Sequence, residues 1–161
     1  MRGGARPVPS GIGVAWFEDL TPYTYVPHGP DGLNVGWLDD SHPFSTGEVD
    51  PEFVQRLIRL AVEHAINITR GWHQCPFCRG EYPSRVRYSG RLVSMGDAEI
   101  RVRHANGVVL AAPNLVAHYV IAHRYLPPGL FIEAIMADPR LDKGWPRRRT
   151  RSPSPRAEDP A

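Results

Sequence analysis

The 161-residue chain has only two cysteines, a single lysine and no long apolar run. So few cysteines exclude the disulfide-dense secreted scaffolds, which need several bridges to replace a core. No segment approaches the roughly 18 apolar residues of a membrane-spanning helix, and the opening MRGGARPVPS lacks the apolar stretch of a secretory signal. The expectation is a soluble cytoplasmic protein with reduced thiols and no membrane contact. Lysine occurs once against 18 arginines, a skew that suggests a GC-rich coding genome and says little about function. Proline and glycine are plentiful instead, at 17 and 15 residues, beside an apolar content of 42%. They predict one modest core with short elements and many loops.

The net charge of +2 divides unevenly along the chain. Residues 140–161 hold seven basic and three acidic side chains, a net +4, whereas residues 1–139 hold 12 basic and 14 acidic ones, a net −2. A dedicated duplex-binding domain usually carries its positive charge on the folded body, so this distribution argues against one. Residues 1–10 and 140–161 are expected to be disordered, the latter as a Pro/Arg/Ser-rich tail able to attract nucleic acid weakly. Between them, residues 11–139 form a single domain.

Within that domain Tyr23–Val26 and Asn34–Leu38 are short strand candidates around the turn-rich PHGPDG. Asp50-Pro51 opens a helix, with Asp as N-cap and Pro at the first helical position. Phe53, Leu57, Leu60 and His64 form its stripe, flanked by Val54, Ile58 and Ala61. Two hairpins follow: Arg85–Tyr88 with Arg91–Met95 across Ser89-Gly90, and Ala98–His104 with Val108–Ala112 across Asn106-Gly107. A helix is expected from Pro113 to about Tyr125, then a break at Pro127-Pro128 and a last helix over Leu130–Ala137. The fold class is α+β: short antiparallel hairpins with three helices, stapled by a metal.

The staple is the pair Cys75-Pro76-Phe77-Cys78 with His118 and His123, the latter two in AHYVIAH on the second helix. Two thiolates and two imidazoles are a complete tetrahedral set for one structural Zn2+. The 39 residues between Cys78 and His118 far exceed the roughly 12 of a compact nucleic-acid finger. One geometric difficulty stands against the set. Five residues of α-helix turn through about 500°, leaving the two histidines about 140° apart unless the last turn is distorted. His73 is the reserve ligand.

Three kinds of chemistry compete with a structural ion. CPFC matches a dithiol redox site, but Gly80 and Pro83 prevent the helix that would follow and lower the first thiol's pKa. A zinc deaminase needs H-x-E upstream of P-C-x-x-C, and the chain has Cys-Pro with no H-x-E before it. A ββα-metal nuclease would use His104, Asn114 and His118, yet His104 abuts the tight Asn106-Gly107 turn and leaves little loop for substrate. With four ligands engaged, no coordination position stays open for water, so no catalytic residue is assigned.

The segments YTYVP, LNVGWLDDSHPF, GWHQCPFC, AEIRV and AAPNLVAHYVIAHRYLPPGLFIEAI together resemble a family of small proteins of unknown function from high-GC Gram-positive bacteria. The resemblance spans Phe17 to Ala137 and implies that Cys75, Cys78, His118 and His123 belong to the domain itself. It brings no reaction or ligand. The expected function is therefore that of a binding or adaptor module whose partner is another protein. A candidate surface is Tyr23, Tyr25, Trp37, His42 and Phe44, though core burial is the simpler fate for aromatics. The alternative is association with nucleic acid through Arg85, Arg87, Arg91, Arg101 and Arg103.

Overall fold

The computed structural model describes residues 15–25, 31–80 and 82–142. The fold is α+β, with three helices and short antiparallel strand pairs in one small domain. Of the tails expected at 1–10 and 140–161, residues 1–10 and 143–161 lie outside the described residues. Regular structure runs past position 139, however: Pro139–Leu141 form a 3-10 turn whose Leu141 is buried.

Helix α1, Pro51–Glu63, starts where Asp50 caps it, its carboxylate accepting from the Glu52 N–H at 2.7 Å. Phe53, Leu57, Ile58, Leu60 and Ala61 bury one face, while His64 only closes the helix at its C-cap. Strands β2 (Arg85–Tyr88) and β3 (Arg91–Ser94) form one antiparallel pair, and Ser89 and Gly90 supply the two left-handed residues of its turn at φ 48° and 78°. Strands β4 (Glu99–Arg103) and β5 (Val109–Pro113) form the second pair.

The N-terminal part departs from expectation. Tyr23–Val26 makes no described strand, and the second candidate, Asn34–Leu38, contributes only Asn34, to β1 at Leu33–Asn34. This strand lies parallel to β5, giving the order β1-β5-β4. Gly36 ends it by turning left-handed at φ 70°, and a Cβ there would sit 2.5 Å from Val116 Cγ2. Phe17, Tyr23 and Trp37 then fold across the sheet face that carries Ala111, as a small second core.

Pro113 also differs from expectation, closing β5 rather than opening a helix. Glu99, which faces it, sends its N–H and C=O the other way to Ile66, at 2.8 Å each. Pro113 thus sits opposite a residue that asks nothing of its missing N–H. Helix α2 begins only at Val116 and ends at His123; α3 covers Gly129–Ala137. The main core lies between the helices and the Ile100, Val102, Leu110 and Ala112 face of the sheet.

Candidate metal centre

The four predicted ligands meet at one point, two from the knuckle before β2 and two from α2. Their donor atoms all lie within 4.8 Å of one another. Four of the separations are 3.3 Å: Cys75 Sγ to His123 Nε2, Cys78 Sγ to each Nε2, and Nε2 to Nε2. Tetrahedral zinc with ordinary Zn–S and Zn–N bonds separates its donors by about 3.3 to 3.8 Å. Hydrogen bonding alone explains the cluster poorly, because two facing imidazole nitrogens share only one proton between them. A common cation would satisfy all four lone pairs.

The helical offset between the histidines is resolved at the end of α2. The helix stops at His123, and Arg124 takes a left-handed conformation at φ 54°. The Arg124 and Tyr125 N–H groups both return to the Tyr119 carbonyl, which closes the terminus. Both histidines reach inward with the distal nitrogen, and their ring centroids stand 5.1 Å apart.

Protonation follows from burial and from the knuckle backbone. Burial pushes the Cys75 thiol up to about 11, although the Phe77 and Cys78 amides donate to its sulfur and favour thiolate. Such a thiol ionises readily only beside a coordinated cation. Burial also holds His123 below the usual histidine value, which keeps its imidazole neutral and its lone pair available.

Aromatic rings that sequence reasoning did not assign to the site seal it. Phe77, inside the knuckle, packs against His123, Phe44 and Tyr119, with centroids at 5.2, 5.1 and 5.8 Å. Tyr119 is fully buried, and its hydroxyl has no hydrogen-bond partner among the described residues. A large apolar residue at the third position of CxxC was the available signal. Phe44, from the expected surface, belongs to this seal, while Tyr23 and Trp37 are buried in the small core.

The remaining candidates are dispersed. His73 stands outside the four-donor group, with its N–H on the Gly96 carbonyl at 2.6 Å. Buried Asn114 is structural: it accepts from Gly96 N–H at 2.8 Å and donates to Asp97 at 3.0 Å. His104 lies beyond the other end of the β4–β5 ladder, paired with Glu133 at 2.8 Å. Four ladder steps alone separate the end pairs by about 13 Å, so His104 and Asn114 share no nuclease site. Nor do the five arginines line one face. Arg101 is tucked under Tyr23, 4.3 Å from its ring centroid, and bound to buried Glu99 at 2.8 Å. That carboxylate also accepts from the Tyr23 hydroxyl and from Asn67.

This is a small α+β domain with a Cys2His2 cluster compatible with a metal ion. The family described as domain of unknown function DUF7919 matches residues 15–136, and the chain belongs to it. No curated protein and no solved structure matches. Among the described residues, no helix is long and apolar enough to cross a membrane.

Proposed function

We propose that the protein is a non-catalytic binding module of the cytoplasm, stapled by one structural Zn2+ on Cys75, Cys78, His118 and His123. The observation that carries this reading is the convergence of two sulfurs and two Nε2 atoms at tetrahedral-edge spacing. Zinc fits because thiolate and imidazole are its favoured donors, and four protein ligands leave no position for substrate water. The ion would tie the loop around the knuckle to α2, in a chain whose core is divided between two clusters. Reduced thiols suit the cytoplasm. The arginine skew and the family resemblance support an origin in high-GC Gram-positive bacteria. The partner on this reading is another protein, with any nucleic-acid attraction weak and borne by the basic tail.

Elemental analysis of untagged protein tests the site and should give close to one zinc per chain. Replacement by Co2+ should produce the intense bands of tetrahedral thiolate coordination, and Cys78→Ser should abolish them. A purified protein that holds no zinc and takes up no Co2+ refutes the assignment.

A further inference from the structure

Apart from the metal centre, the described surface has one place where unpaired backbone, apolar side chains and unneutralised charge coincide. It is the outer edge of β3. Met95 N–H bonds to Ser84 O at 2.8 Å, and this fixes the alternation of the β2–β3 ladder. Val93 and Arg91 direct their backbone groups at β2, whereas Leu92 and Ser94 direct theirs away from it. No described residue pairs with those outward groups. A groove of about 530 Å³ runs along this edge, lined by Arg91–Ser94 on one side. Its other walls are largely apolar, with Ala61, Val62, Ala65, Ile68 and Trp72 among them.

Two side chains at the groove are exposed far beyond what apolar residues usually accept, Ile68 at 71% and Leu92 at 57%. The register places Arg87 directly across from Leu92 and Arg85 across from Ser94, on the same sheet face. Arg85, Arg87 and Arg91 are exposed, and none forms an ion pair among the described residues. Nearby carboxylates are already engaged: Asp97 by Asn114, Glu63 by Arg59 and Tyr88, Glu99 by Arg101.

We propose that β3 accepts an extended, acidic and apolar segment of a partner protein as a third strand in this groove. The inference rests on the binding-module reading and supplies its partner class. Main-chain hydrogen bonds to Leu92 and Ser94 would give affinity. Alternate partner side chains would bury apolar groups in the groove against Ile68 and Val93, and place carboxylates on the opposite face, which carries Arg85 and Arg87. Charge selects this occupant over the others. The chain's own flanks are basic, with two arginines and no acid in residues 1–14 and six basic against two acidic residues in 143–161. A second copy would bring its own β3 arginines against these. Exposed aliphatic side chains at the groove favour a peptide over stacked bases.

The test uses the full chain with zinc bound and a labelled, acetylated Glu-Val-Glu-Val-Glu-Val peptide. The expected result is saturable binding, with amide exchange at Leu92 and Ser94 slowed at least tenfold by the peptide. Arg87→Glu and Leu92→Glu, both exposed, should each weaken binding at least tenfold without moving the melting temperature. Methylating alternate peptide nitrogens should abolish it. Binding that ignores both substitutions, absence of binding at millimolar peptide, or tighter binding of a DNA oligonucleotide dependent on Arg87 would each overturn the proposal. Zinc content and melting, measured on the same samples, separate this failure from failure of the metal reading, because a zinc-loaded folded protein that ignores the peptide refutes only the docking edge.

Discussion

Removing the metal centre should cost this protein a large share of its stability. The perturbation is Cys75→Ser, with chelation of the wild-type protein as a counterpart that changes no side chain. Cys78 and His118 meet across a separation of 40 residues, and Cys75 and His123 across 48. Treated as a cross-link that closes a loop of this length, the ion restricts the unfolded chain by about 4 kcal/mol. This is a floor, since bond formation to thiolate adds to it and structural zinc sites contribute more in small domains. Ordinary domains hold only about 5 to 15 kcal/mol in all. At roughly 3 to 5 °C per kcal/mol for a domain of this size, the melting temperature should fall by at least about 12 °C. Circular dichroism melts of zinc-loaded, chelated and Cys75→Ser protein check it. If all three melt cooperatively within a few degrees of one another, the staple has no structural role and the argument fails.

Gly36→Ala should destabilise by about 1 to 3 kcal/mol, because φ is 70° and the added methyl meets the stiff side chain of buried Val116; denaturant unfolding reads this directly. Asp138 gives a pH signature. Burial acts to raise its pKa, but hydrogen bonds from Arg140 outweigh this and hold it below the usual aspartate value. A depressed acid stabilises the fold above its unfolded pKa of about 4 and loses that contribution as pH falls through the folded value. Arg140→Gln should therefore cost about 1 kcal/mol at pH 7, discounted because Arg140 is half exposed, and progressively less below pH 4; urea titrations at pH 7 and pH 3 test the convergence. Truncation after Asp142 should leave the melting temperature unchanged and remove any salt-sensitive retention on DNA, which melting and electrophoretic shift of the shortened chain would show.

The elements written most clearly in the sequence were those that local rules define. Asp50-Pro51 caps and starts α1, Ser89-Gly90 and Asn106-Gly107 turn the two hairpins, and CxxC with two helical histidines names the four residues that cluster. What escaped depended on distant partners. Pro113 reads as a helix opener by itself, and only the outward turn of Glu99 toward Ile66 makes it a strand end. Arg101 alternates with Arg103 like an exposed residue, yet Tyr23, Trp37 and Phe17 close over that face and bring Glu99 to it. The parallel pairing of Leu33–Asn34 with β5 joins segments some 77 positions apart, and no local pattern encodes such a register. The nuclease template failed for a related reason. His104, Asn114 and His118 are close in sequence, but a five-pair ladder stands between the first two.

The order in which the four cluster residues occur along the chain has a consequence for biosynthesis. Both thiols emerge from the ribosome well before His123, which follows Cys75 by 48 positions. At about 5 to 20 residues per second this interval lasts roughly 2 to 10 s. During it the nascent chain displays a bare dithiol with both hairpins still being made. On the proposed zinc reading, an ion captured then would be held by two sulfurs alone and would have to be retained, or surrendered and regained, until α2 arrives. Oxidant or a competing soft metal thus has its best access to this protein while it is being made rather than once it is folded.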